Sequence, residues 1–278
     1  MKEEWDRLPQ HDFLALLREK YTHLDPVRAF QVVAERSERR GPALPHGTTI
    51  LAVRFDGGVL IGGDRQATTY TEIADRNIEK VFEMDEYSAI AIAGVAGPAI
   101  QMAQLLRTQF EYYEKVEGTP LSLEGKANYL AHVLRQNLPA ALQGLVVVPI
   151  FAGYDPRRRR GRIFKYDVAG GRYEETDYYA TGSGGKDARS TLKKRYHAGL
   201  SEEEAIRCAV EALLDASDED VATGGFDWVR GIFPLVKVIT QEGARDVPEE
   251  RLGEIAEGFL NAWRADFAAR RNATRSED

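Results

Sequence analysis

The sequence predicts an α+β fold of antiparallel sheets with helices on their outer faces, and three observations lead there. Strand-like runs arrive as hairpin pairs, which favours antiparallel pairing. Helical patterns arrive in twos between the strand groups, as expected when helices cover the outside of a sheet. The order along the chain is strands, two helices, strands, two helices, strands and a last helix, with no internal repeat or low-complexity segment.

Residues 1–45 are charged, carry one isolated amphipathic stretch at Phe13, Leu14, Leu16 and Leu17, and end in the loop-like GPALPHG. They read as a leader rather than a domain. At Thr48 the pattern changes: TTILAVRF, a DGG turn at 56–58 and VLIGGD make two strands joined by a tight hairpin. KVFEMD and YSAIAIAG form a second pair around Glu86. The spacing of Ile100, Met102, Ala103, Leu105, Leu106 and Phe110 predicts a helix over about 98–117. A second, over 122–137, starts at Ser122 with an acid in its first turn but without a full capping box. LVVVPIFAGYD, RIFKYDV and RYEETDYYA read as three strands, punctuated by Pro156 and the AGG turn at 169–171. Helices near 186–197 and 201–217 follow, then VRGIFPLVKVIT as one or two strands, and a helix from Pro248 to about Arg270.

With 278 residues, 43% of them hydrophobic, the chain can fill a substantial core. Acidic residues outnumber basic ones by 44 to 37, so no basic footprint for nucleic acid is expected. The run Arg157–Arg160 reads as a solvated hairpin loop. The single cysteine, Cys208, rules out an intrachain disulfide and a cysteine-based metal site, and its helical setting suits a small buried apolar role in a reducing compartment. No run of eighteen apolar residues occurs and the charged N-terminus does not read as a signal peptide, so no membrane partner and a cytoplasmic location are expected.

Most familiar chemistry is missing. HExxH, GxSxG and CxxC do not occur. TGSGGKD, at 181–187, fails as a phosphate loop because Ala180 stands at its first glycine and Asp187 follows Lys186. Histidines 11, 23, 46, 132 and 197 are too scattered for a ligand set. There remains the abrupt start at Gly47-Thr48. A threonine hydroxyl needs a base, and cutting the bond before Thr48 would free an α-amine with a pKa of about 7.7–8.0 on the same residue. A nearby cation would keep that amine from holding its proton, and oriented N–H groups would meet an oxyanion. Read singly, these residues have blander roles: Gly47 in a loop, Thr48 and Thr49 as strand formers.

GTTILAV, GGDRQAT, NIEKVFEMDEY, AIAGVAG, ATGSGG and DVATGG occur in this order, and together they resemble the β-type subunit of the 20S proteasome, from about Gly47 to Ile239. The lengths of the leader and tail are similar to those of the actinobacterial branch. The resemblance implies a four-layer αββα sandwich of two antiparallel sheets, the N-terminal-nucleophile hydrolase fold. Residues 1–47 would be a propeptide removed by self-cleavage between Gly47 and Thr48, and 48–278 the catalytic domain with a C-terminal helical extension. Thr48 matches the nucleophile, Asp64 the acid that holds a catalytic lysine, Lys80 that lysine, and Gly94 the oxyanion N–H. Asp220 matches a second acid near the amine, and Thr223 a hydroxyl residue often filled by serine. Ala67, Thr68, Ile78, Ile92 and Ala96 match the substrate-binding positions, whose apolar lining implies cleavage after hydrophobic residues. Relatives often read GSGS where this chain has GSGG, so a hydroxyl near the amine is expected to be missing at Gly185, with Ser183 one turn position too early to replace it.

The implied activity is a threonine endopeptidase that degrades unfolded polypeptides, with no metal or organic cofactor. Its implied partners are α-type subunits, other β subunits in stacked rings, and an ATP-dependent unfoldase. Two rivals remain at this point: another N-terminal-nucleophile amidase acting on a small molecule, and a non-catalytic ring subunit of the same fold.

Overall fold

In the computed structural model, which describes residues 47–69 and 72–275, two five-stranded antiparallel sheets lie between layers of helices. The amphipathic stretch expected at 13–17 lies outside the described residues. The first sheet is built on β1 (Thr49–Phe55) and β2 (Gly58–Gly63), paired as the expected hairpin, with Phe55 opposite Gly58. The second contains β5 (Val81–Asp85) and β6 (Ser88–Gly94). Between them stands a short hairpin of β3 (Ala67–Thr69) and β4 (Glu72–Asp75), whose three- and four-residue strands leave little periodicity to read.

Helices α1 (Ala96–Glu117) and α2 (Leu123–Gln136) follow, then a one-turn α3 (Leu138–Ala141) that opens on the Leu-Pro pair and was not anticipated. Gly118, at φ 69°, ends α1 in the left-handed conformation that glycine adopts most easily. Ser122 caps α2 by accepting the Gly125 N–H at 3.1 Å. β7 (Val147–Asp155) and β8 (Arg160–Tyr166) extend the second sheet, the turn between them carrying Arg157–Arg159 at the surface.

RYEETDYYA is not one strand, as expected, but two. β9 (Arg172–Glu175) closes the edge of the second sheet and β10 (Tyr178–Gly182) pairs with β1 in the first, so Thr176 and Asp177 carry the chain across the sandwich. The unbroken run of β-prone aromatics hides that crossing. Next come α4 (Gly185–Arg195) and α5 (Glu202–Glu219), the latter opened by a reciprocal capping box of Ser201 and Glu204. β11 (Leu235–Thr240), β12 (Gly243–Asp246) and α6 (Glu249–Arg275) complete the chain. Only LVKVIT of the expected final strand run is strand; the preceding stretch forms a turn closed by an Asp227–Ile232 bridge.

Strand alternation explains the layers. Ile50 and Ala52 of β1 join Ile61, Val81, Ala91 and Ile150 between the sheets, whereas Leu51, Val53 and Phe55 face the cluster built with α4, α5 and α6. Phe151 and Phe164 pack outward on Met102, Leu106 and Leu130 of α1 and α2. Cys208 is buried in the first of these helical clusters, and burial pushes its thiol pKa up. It is a packing residue. Among the described residues, no helix is long and apolar enough to cross a membrane.

Candidate active site

The strand ends gather the site. Thr48 precedes β1, Asp64 follows β2, Lys80 precedes β5, Gly94 ends β6 and Gly182-Ser183 ends β10. Register sets these positions: Thr49 pairs with Gly182, and Ile50 with Gly63, at the same end of the first sheet. Thr48 is buried, and its hydroxyl donates to the Gly47 carbonyl oxygen at 2.7 Å.

Lys80 donates to Asp64 Oδ1 at 2.8 Å and also to the Gln66 carbonyl. Both members of that ion pair are buried, with 6% and 0% of their side chains exposed. Asp64 has more to do than hold the lysine. Its Oδ1 also accepts the Thr49 N–H at 2.8 Å, and its Oδ2 accepts the N–H groups of Gln66 and Gly224, each at 2.9 Å. Burial is the largest influence on Lys80 and pulls its pKa below the ordinary lysine value, against the opposing pull of Asp64 and Asp220. Such a lysine parts with a proton more readily than a solvated one.

Around Thr48 the second set of hydroxyls differs from expectation. The Thr48 N–H points to Ser183 Oγ at 3.1 Å, and the Ser183 N–H returns a bond to the Thr48 carbonyl at 2.8 Å. Ser183 is therefore the hydroxyl at the Thr48 nitrogen, and Gly185 leaves no gap there. A side chain at 185 would instead approach Ala180 and Arg189, because α4 has already begun at that residue and turned it away. The tight return is possible because Gly182 has φ +100°; a Cβ there would stand 1.8 Å from the Thr48 carbonyl oxygen.

Asp220 caps the C-terminus of α5. Its Oδ2 accepts the Thr223 hydroxyl at 2.6 Å, and Thr223 Oγ1 lies 2.6 Å from Thr49 Oγ1. Thr49 Oγ1 in turn accepts the Gly184 N–H at 3.0 Å. Thr49, expected to be a plain strand former, thus uses both its N–H and its hydroxyl at the site. Ala222, on the same loop as Asp220, explains Gly47: a Cβ at 47 would meet the Ala222 Cβ at 1.9 Å, so close packing requires the glycine.

Comparison with known proteins now bears on this geometry. The family described as "Proteasome subunit" matches residues 44–229. "Proteasome subunit beta" of Acidimicrobium ferrooxidans is 58% identical over 230 residues, covering 83% of this chain and 84% of that protein. "Proteasome subunit beta" of Streptomyces griseus is 55% identical over 216 residues, covering 78% and 77% respectively. The chain belongs to the proteasome subunit family. It is a β-type subunit, the threonine endopeptidase component of the proteasome core, in a family that assembles α- and β-type subunits into rings.

In this β subunit Thr48 and Lys80 share the wall of one pocket with Gly94 and with four of the five residues expected to bind substrate, Ala67, Ile78, Ile92 and Ala96. Phe82, Ala99 and Ile100 add apolar surface, and the exposed Glu79 adds one charge; none of these four was expected at the site from sequence. Thr68, the fifth, sits on β3 and takes a bond from the Gln66 amide at 3.2 Å. Gly94 has φ +116°, and a Cβ would stand 2.1 Å from the Val146 carbonyl oxygen, so the turn that brings its backbone to the pocket requires glycine.

Proposed function

We propose that Thr48 is the nucleophile and that residues 1–47 are removed by cleavage between Gly47 and Thr48 by the subunit itself. The observation that carries this reading is the burial of Thr48 in a pocket shared with Lys80, which Asp64 pairs from behind, with the Ser183 hydroxyl at the Thr48 nitrogen. In the first reaction, Thr48 Oγ attacks the Gly47 carbonyl carbon, the C–N bond to Thr48 breaks as the nitrogen gains a proton, and water hydrolyses the resulting ester. The freed amine then takes the hydroxyl proton when a peptide binds. Attack on the substrate carbonyl makes an ester on Thr48, the amine end of the peptide departs with the proton, and water releases the acyl part.

Lys80 supplies positive charge that keeps the Thr48 amine neutral and, with its lowered pKa, shuttles the hydroxyl proton to that amine, while Asp64 holds Lys80 in place. The Gly94 N–H meets the oxyanion. Asp220 and Thr223 steady the loop facing the amine. The apolar pocket favours cleavage after hydrophobic residues in unfolded polypeptides, delivered by an ATP-dependent unfoldase in the cytoplasm. The steps draw on side chains, the Gly94 backbone N–H, the freed amine and water. Thr48→Ala tests the reading: assembled particles should lose peptide hydrolysis and keep the propeptide, and retention of hydrolysis at the wild-type rate would refute it.

A further inference from the structure

We propose that Thr49 is a positioning residue for turnover, its hydroxyl locking together the two loops that flank the Thr48 nitrogen. This rests on the reading of Thr48 as nucleophile. Thr49 is fully buried, its N–H bonded to Asp64 and its hydroxyl to Thr223 and Gly184. The bonding order follows from what each atom can give. Asp220 Oδ2 accepts the Thr223 proton, so in the 2.6 Å contact between the threonines Thr49 donates and Thr223 accepts. Gly184 N–H then donates to Thr49 Oγ1 at 3.0 Å, which leaves the hydroxyl with a donor on one side and an acceptor on the other.

That single hydroxyl spans two loops of distant sequence. Gly184 adjoins Ser183, whose Oγ is 3.1 Å from the Thr48 nitrogen; Thr223 and Asp220 belong to the loop that packs Ala222 on Gly47. The space between them is full: a Cβ on Gly184 would meet Thr49 Oγ1 at 2.6 Å and Thr223 Oγ1 at 2.9 Å. Meanwhile the Thr49 N–H anchors the same residue to Asp64 Oδ1, the oxygen that also receives Lys80. Loss of the hydroxyl leaves the Gly184 N–H and the Thr223 oxygen buried with one partner fewer, and Ser183 is the first group free to shift. Serine can make both bonds. Valine fills the same volume and makes neither.

The test compares Thr49→Val and Thr49→Ser in assembled full-length particles, with processing at Thr48 counted by intact mass and peptide hydrolysis expressed per processed subunit. The expected result is a fall of about ten- to a hundred-fold in kcat for valine, with KM within about twofold, and recovery to within about threefold for serine. A purely structural role would reduce the number of processed, assembled subunits but leave kcat per site unchanged, and that result overturns the proposal. Should the valine variant not assemble, Thr49→Ala is measured in its place. Failure of both to assemble while serine succeeds also overturns it, because the hydroxyl then serves folding. Thr48→Ala runs alongside: if it hydrolyses peptide, the nucleophile reading fails; if it is inactive and the valine variant turns over normally, only the Thr49 inference fails.

Discussion

Two buried cations stand at opposite ends of the second sheet, Lys80 with 6% of its side chain exposed and Arg162 with 2%. β7 connects the two regions, from Val147 beside Gly94 to Asp155 beside Arg162, roughly 26 Å at about 3.3 Å per residue. Arg162 has three carboxylates: Asp155 at 3.1 Å, Glu124 at 3.3 Å and Glu174 at 2.6 Å. Bonding to Glu174 leads the influences on it and raises its pKa. Among the described residues Lys80 has one carboxylate in contact, and that one is shared with three backbone N–H groups. There burial wins and the pKa falls. A buried cation surrounded by acids is fixed in its charge and serves structure, whereas one neutralised sparingly is ready to exchange a proton.

The largest effect is expected from making Lys80 resemble Arg162. Lys80→Arg keeps the charge but removes a group that can give up a proton, and its planar head does not fit the two acceptors held by Asp64 and Gln66. Peptide hydrolysis should fall by about a thousand-fold or more at unchanged assembly, as read by kcat on purified particles. Asp64→Asn comes next. Asp64 raises the Lys80 pKa against burial, so its neutralisation lets that pKa fall further. If charged Lys80 supports turnover, the alkaline limb of the rate profile moves to lower pH, and hydrolysis at neutral pH drops by about a hundred-fold.

At the other end, Arg162→Met should lower stability by about 1–3 kcal/mol, a range reduced because Glu124 and Glu174 remain partly solvated, and leave kcat within about twofold. Thermal unfolding and peptide kinetics on the same particles separate these outcomes. An equal loss of activity would show that the two ends are coupled. Gly185→Ser is the smallest change: an added Cβ would make only ordinary contacts, at 3.4–3.6 Å, with Ala180 and Arg189. Turnover within about twofold of wild type is expected.

The sequence carried the sandwich because its core strands alternate. Leu51 and Ile50 face opposite layers, and the same period-2 signal runs through β6 and β7. It hid the split between β9 and β10, since Tyr173 and Tyr178 are equally strand-like and only pairing partners distinguish their sheets. Thr48, Asp64, Lys80 and Gly94 could be picked out because motifs in a fixed order mark them. Ser183 and Thr49 could not. Which hydroxyl reaches the Thr48 nitrogen depends on the left-handed turn at Gly182 and on where α4 starts, and the role of Thr49 depends on two loops 39 residues apart, at Gly184 and Thr223, meeting on one oxygen. Those are tertiary facts with no local sequence signal.

In the proposed mechanism Thr48 acts as an N-terminal residue. Intact-mass measurement on assembled, peptide-hydrolysing particles tests it most directly. Subunits that have lost residues 1–47 and begin at Thr48 are expected, their mass raised by that of one bound inhibitor when a covalent one is used. Active particles whose subunits all retain the Gly47–Thr48 bond would contradict it.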